Sequence, residues 1–183
     1  MRNILSRGLL ILYVAILIWL VLFKLKFNIS SVLQYHHRSL NLIPFAAPSI
    51  VHGAVNYGEM IMNCVFFIPF GLLLNVNFKI TGFLPKLVMI MCFSLTAELI
   101  QYIFAIGATD ITDVMTNTFG GFLGLTIYNV SSKYIHREKL DRLIISAGFL
   151  LMVLFLSWHA SHYLLRRSAH TSIVPVFTFP ARL

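Results

Sequence analysis

An all-α bundle that spans a membrane is the fold this sequence predicts, with about five transmembrane helices and one interfacial segment. Three observations predict it. Of the 183 residues, 58% are hydrophobic and 11% charged, where a soluble domain is about 45 to 50% apolar and about 25% charged. Five stretches approach the roughly 20 apolar residues that a spanning helix needs. The basic residues collect between or beside those stretches, as they do in the loops of membrane proteins. With 14 Lys and Arg and 6 Asp and Glu, the chain has too little charged surface for a soluble enzyme or a free nucleic-acid binder, so no nucleic-acid partner is expected.

The first segment runs from about Gly8 to Phe23, with Arg2 and Arg7 before it and Lys24 and Lys26 after it. Its length, and the lack of a following small-x-small cleavage site, favour an uncleaved anchor over a removed signal peptide. Segment two covers about Glu59 to Val76, segment three about Leu87 to Ile106, segment four about Ile111 to Val130, and segment five about Leu143 to Leu164, turning polar at His159 and His162. Cys64 and Cys92 fall inside apolar segments, where a thiol behaves as a small hydrophobe, and two cysteines make no disulfide framework. Pro69 within segment two removes a ladder hydrogen bond and predicts a kink.

The connections set the orientation. Lys79 and Lys86 lie in the link after segment two, and Lys133, Arg137, Lys139 and Arg142 in the link after segment four. The link between segments three and four carries no Lys or Arg. The positive-inside rule then puts the N-terminus and the two basic links in the cytoplasm and the third link outside. In the long connection from about Lys24 to Gly58, the run Asn41-Leu42-Ile43-Pro44-Phe45 is apolar, but Pro44 biases Ile43 away from the helical region. It is read as an interfacial motif of Asn41, Pro44 and Phe45.

Four of the six acids, Glu59, Glu98, Asp110 and Asp113, fall in or beside the spanning segments and meet at one side of the membrane. At about 100° per residue, Asp110, Asp113 and Asn117 lie within about 60° of one another on segment four. Gly120, Gly121 and Gly124 continue that stripe as a packing surface, Gly120 and Gly124 at the spacing that lets helix backbones approach in lipid. On segment three Ser94, Glu98 and Gln101 share a stripe, and on segment two Glu59 and Asn63 are one turn apart. An ionised residue at a membrane helix centre costs roughly 2.5 to 3.5 kcal/mol, so such groups pair or act. Glu59, Asn63, Glu98, Gln101, Asp110, Asp113 and Asn117 are therefore expected to form one polar, ligand-binding cluster near the outer face. No close-spaced metal motif is present, and His36, His37 and His52 rank low as ligands, so no metal or cofactor is expected.

Four motifs occur in order: Asn-Leu-Ile-Pro-Phe at 41 to 45, Asn63 followed by Phe-Ile-Pro-Phe-Gly-Leu at 67 to 72, Glu98-Leu-Ile-Gln101, and Gly107-Ala-Thr-Asp-Ile-Thr-Asp-Val-Met-Thr-Asn-Thr-Phe-Gly-Gly-Phe-Leu-Gly124. Over about residues 40 to 130 the chain resembles the VanZ-like membrane proteins. The whole chain is read as a single integral membrane domain, 1 to 183, around that core. The resemblance implies a small multi-pass protein of the bacterial cytoplasmic membrane associated with low-level teicoplanin resistance. Its implied partners are membrane lipids and a lipoglycopeptide or a lipid-linked cell-wall precursor. Many members carry an Arg before the acidic motif, where this chain has Ala108 and Thr109. A second reading, from the residues themselves, is an intramembrane enzyme acting on a lipid-linked phosphate. In it Glu98, Asp110 and Asp113 hold a divalent cation through oxygen ligands, or one of them is a general base. The lack of a basic residue in the cluster counts against it, and the non-enzymatic reading leads.

Overall fold

The computed structural model describes residues 2–23, 39–45, 49–51, 54–106 and 108–171. Five helices dominate: α1 (Arg2–Phe23), α2 (Gly58–Asn77), α3 (Phe83–Phe104), α4 (Ile111–Tyr134) and α5 (Arg137–Thr171). Four are long and apolar enough to cross a membrane, over Ile4–Leu22, Gly58–Asn77, Phe83–Phe104 and Arg137–Trp158. The fifth, α4, has 24 residues, about 36 Å at 1.5 Å per residue, but one of its faces is polar and glycine-rich. The expected five spans are therefore four by length and composition and one by length alone. The protein is an all-α membrane helix bundle.

Short strands that periodicity did not foresee tie its connections together. Strand β1 (Ser39–Asn41) pairs in parallel with β4 (Ala108–Asp110), and β2 (Ser49–Val51) forms a hairpin with β3 (Ala54–Asn56). The first pair joins the segment before Pro44 to the start of α4, placing Asn41 opposite Asp110.

The chain divides into two compact units, Met1–Ile145 and Ser146–Leu183. In the first, α2 and α4 run parallel and make the closest helix pair, and α3 packs antiparallel to both. The seam is backbone on backbone. A Cβ on Gly120 would meet the main chain of Cys64, one on Gly124 the carbonyl of Ile68, and one on Gly71 the main chain of Gly121 and Leu125. Gly121 faces α3, where a Cβ would lie 2.6 Å from Ile90. The stripe read from segment four thus serves two neighbours, and Gly71 of α2 is its counterpart.

Helix α1 belongs to this bundle. Leu17 and Val21 join Phe67, Phe70, Leu74, Ile90, Ala97 and Leu125 in one buried apolar cluster. Phe67, Phe70 and Phe93 pack ring against ring at centroid distances of 5.2 to 6.1 Å. The Tyr13 hydroxyl donates to the Phe66 carbonyl at 2.6 Å, one turn before Pro69, where proline loosens the helical ladder and neighbouring helices supply replacement bonds. Many outward side chains of the first unit, including Ile61, Val65, Leu95, Leu99, Phe104 and Phe119, are apolar and exposed, the surface lipid would cover. In the second unit α5 continues to Thr171 with Leu150, Leu151, Val153, Leu154 and Trp158 exposed. The side chains of His159 and His162, together with His36, His37, His52, Lys24 and Lys26, lie outside the described residues.

Candidate functional site

The start of α4 is built by side chains from four elements. Asp110 ends β4 and is the N-cap of α4: its extended backbone lets one carboxylate oxygen accept from the Thr112 amide at 2.8 Å. Such a cap satisfies one of the donors every helix start leaves open. The other oxygen accepts from Asn41 Nδ2 at 3.1 Å, and Asn41 Oδ1 takes the Ile43 amide at 3.2 Å. The Phe45 amide donates to Thr112 Oγ1 at 3.0 Å. The interfacial motif is thereby pinned to the mouth of α4 while Leu40, Leu42, Ile43 and Phe45 stay exposed.

Below this rim lie the buried carboxylates. Glu98 on α3 is 2% exposed and Asp113 on α4 6%. Glu98 Oε2 accepts from the Asp110 backbone amide at 3.1 Å, and the Thr109 hydroxyl donates to the Glu98 carbonyl at 3.2 Å. Asp113 Oδ1 accepts from Asn63 Nδ2 of α2 at 2.8 Å. One turn deeper, Asn117 Nδ2 donates to Ser94 Oγ at 2.8 Å in a fully buried contact between α4 and α3. Asn117 Oδ1 is buried with no hydrogen-bond partner among the described residues, and exchanging its amide atoms would only leave the nitrogen in its place. Two non-glycine residues among those described have positive φ, Phe45 at 59° and Ala105 at 53°. Ala105 is the left-handed C-cap that ends α3, whereas Phe45 borders this rim, where left-handed backbone at a bulky residue costs about 1 to 3 kcal/mol.

The structure joins Asn41, Asn63, Glu98, Asp110, Asp113 and Asn117 through these bonds, directly or by shared elements. Two expected members sit elsewhere. Glu59 is exposed in the first turn of α2, because the helix begins only one residue earlier and its end reaches the surface. Gln101 is fully buried but donates to the carbonyls of Val21 at 2.9 Å and Leu22 at 3.4 Å, so its amide caps the last turn of α1. Among the described residues no group of three His, Cys, Asp or Glu side chains is arranged to hold a metal ion.

The VanZ/LLP1 family model matches residues 10–132. The chain belongs to the VanZ/LLP1 family. It is 63% identical over 156 residues to Protein VanZ of Enterococcus faecium, a match covering 85% of this chain and 93% of that protein. No solved structure matches it. The family match begins inside α1, 30 residues before the motif core read from the sequence, and ends in the last turn of α4. It therefore takes in both the seam and the acidic end.

A second polar group lies at the other end of this VanZ-family bundle, and two of its members, Lys79 and Lys86, read from the sequence as charges of the link after segment two. Asp141 of α5 is buried, bonded to the Tyr128 hydroxyl at 2.7 Å and paired with Lys79. Lys86 is 4% exposed and donates to Asn75 Oδ1 at 2.6 Å, while Asn75 Nδ2 donates to the Leu125 carbonyl at 3.0 Å. The signal for Asp141 was available: it falls three and four residues before Ile144 and Ile145, on the inward stripe of α5. For Lys86 it was Pro85, which is tolerated in the first turn of a helix; α3 starts at Phe83 and draws Lys86 inside.

Proposed function

We propose that this chain is a multi-pass protein of the bacterial cytoplasmic membrane that raises tolerance to teicoplanin, acting at the outer face through the carboxylates and amides at the start of α4. The identity to Protein VanZ over nearly all of that protein carries the reading. Three features support it. Buried carboxylates are costly in a membrane and are kept where they pair or act. Phe45, held with left-handed backbone, borders the same group through its amide bond to Thr112. The exposed apolar run Leu40 to Phe45 lies against the rim of the cluster, where a lipid-tailed ligand would meet the bilayer interface.

Teicoplanin carries a lipid tail and vancomycin does not. A protein working at the membrane surface on a lipoglycopeptide, or on its lipid-linked cell-wall target, therefore discriminates between the two drugs. Expression in a susceptible Gram-positive host tests this by the inhibitory concentration of each. The expected result is a rise for teicoplanin that exceeds any rise for vancomycin. Unchanged teicoplanin susceptibility with abundant inserted protein overturns the proposal.

A further inference from the structure

The turn between α4 and α5 gathers exposed bases on a fixed backbone. Helix α4 ends at Tyr134 and α5 starts at Arg137, leaving Ile135 and His136 as the link. Backbone bonds hold it: the Ile135 amide donates to the Ser131 carbonyl at 2.9 Å, and the Lys139 and Leu140 amides donate to the His136 carbonyl at 2.9 and 3.0 Å. Leu140 and Asp141 are buried, which leaves Lys133, Arg137, Lys139 and Arg142 on the outside, all exposed. Asp141 is engaged by Lys79 and Tyr128. The exposed acid of this turn is Glu138, one against four bases. At the other end, the link between α3 and α4 carries no Lys or Arg.

What lies beside the bases decides the kind of partner. A stretch apolar enough to span begins at Arg137, so the turn stands at headgroup level, a layer about 5 to 7 Å deep on each side of the hydrocarbon. On α4, Val130 and Ile127 are exposed about 4.5 and 9 Å along the helix from Lys133. Their three-residue spacing puts them on one face. On α5, Leu143 is exposed one turn after Lys139 and next to Arg142. Each helix thus presents a base and then an exposed apolar side chain toward the hydrocarbon, the order of phosphate and acyl chain in a phospholipid. Tyr134, also exposed, is of a type that collects at headgroup level, and long basic side chains reach the same layer with their stems on apolar surface. A soluble polyanion would meet the bases alone.

We propose that the turn between α4 and α5 is a docking surface for anionic phospholipids, with Lys133, Arg137, Lys139 and Arg142 meeting the headgroup phosphates and Ile127, Val130 and Leu143 the chains below them. It is independent of the resistance reading. Basic residues also set topology during insertion, but that role leaves no lipid preference in the folded chain. The full chain in detergent, dosed with equal phosphatidylglycerol and phosphatidylcholine, tests it by native mass spectrometry. Wild type is expected to retain phosphatidylglycerol over phosphatidylcholine, with a preference that shrinks as salt is raised, because exposed charges are screened. Changing any one of the four bases to glutamine should lower the preference by up to about fivefold. All four changes together should abolish it and leave the melting temperature in phosphatidylcholine unaltered, while Lys133→Arg with Lys139→Arg keeps it. Full preference in the fourfold variant overturns the proposal. So does a wild type with no preference, a result that stands even if the fourfold variant does not fold. An oligonucleotide that displaces phosphatidylglycerol at equal phosphate concentration overturns the lipid assignment in favour of a nucleic acid.

Discussion

The two ends of the α2, α3 and α4 core solve the same problem with opposite chemistry. At the start of α4 the buried charges are carboxylates, and the partners described for them are backbone amides and asparagines: Glu98 takes the Asp110 amide, Asp113 takes Asn63 and Asp110 takes Asn41 and Thr112. At the other end an acid meets a base, Asp141 with Lys79, and a further lysine is buried on Asn75. A carboxylate accepts several N–H donors, so a helix start and an asparagine can satisfy it without a counter-ion. An ammonium has only donors and needs acceptors that a helix start lacks. The partners described at the acidic end are thus N–H donors of backbone and asparagine, whereas those at the basic end are an acid–base pair and one amide oxygen. Between them the glycine seam brings α2 and α4 backbone to backbone.

If that seam couples the ends, breaking it has the largest effect. Gly124→Ala and Gly120→Ala force a Cβ into the main chain of Ile68 or Cys64 and should cost about 1 to 3 kcal/mol or more, because backbone cannot step aside. The loss reads out as a lower melting temperature in detergent. Gly8→Ala on α1, whose Cβ would meet nothing within 4 Å, should instead be neutral or stabilising, by up to about 1 kcal/mol. At the basic end, Asp141→Ala strips Tyr128 of its acceptor and Lys79 of its partner and should cost about 1 to 3 kcal/mol. Lys139→Ala, on the exposed face of the same turn, should stay within about 0.5 kcal/mol. At the acidic end, Asp110→Ala removes the N-cap of α4 for about 1 kcal/mol, with Asp110→Ser recovering most of it. An Asp110→Ala penalty well above the Asp141→Ala penalty would reverse the contrast drawn between the ends.

The contrast also governs what the sequence discloses. Acids and amides are rare in apolar segments, so Glu98, Asp113 and Asn117 stand out, and the helical stripe of each agrees with the face it buries. The parallel strands that bring Asn41 to Asp110 were invisible, because three-residue strands leave no periodic signal and their pairing spans 69 positions. Gln101 shares its stripe with Glu98, yet it turns to α1, and nothing in a one-dimensional pattern says which neighbour a face will meet. At the basic end Lys86 reads as ordinary loop charge, and only the placement of the start of α3 moves it inside. Gly120 and Gly124 were legible from spacing, whereas Gly71 was not, since a close approach needs a partner as well as a small residue.

Whether the acidic end acts through charge is the central question. Glu98→Gln and Asp113→Asn keep shape and hydrogen-bonding capacity while removing the charge. The direct measurement is the teicoplanin inhibitory concentration of a susceptible host expressing each variant, with membrane insertion and protein level matched to wild type. The account predicts that both variants lose the tolerance conferred by the wild-type chain. Full retention by both, at wild-type abundance, would contradict it and leave the cluster as packing between helices.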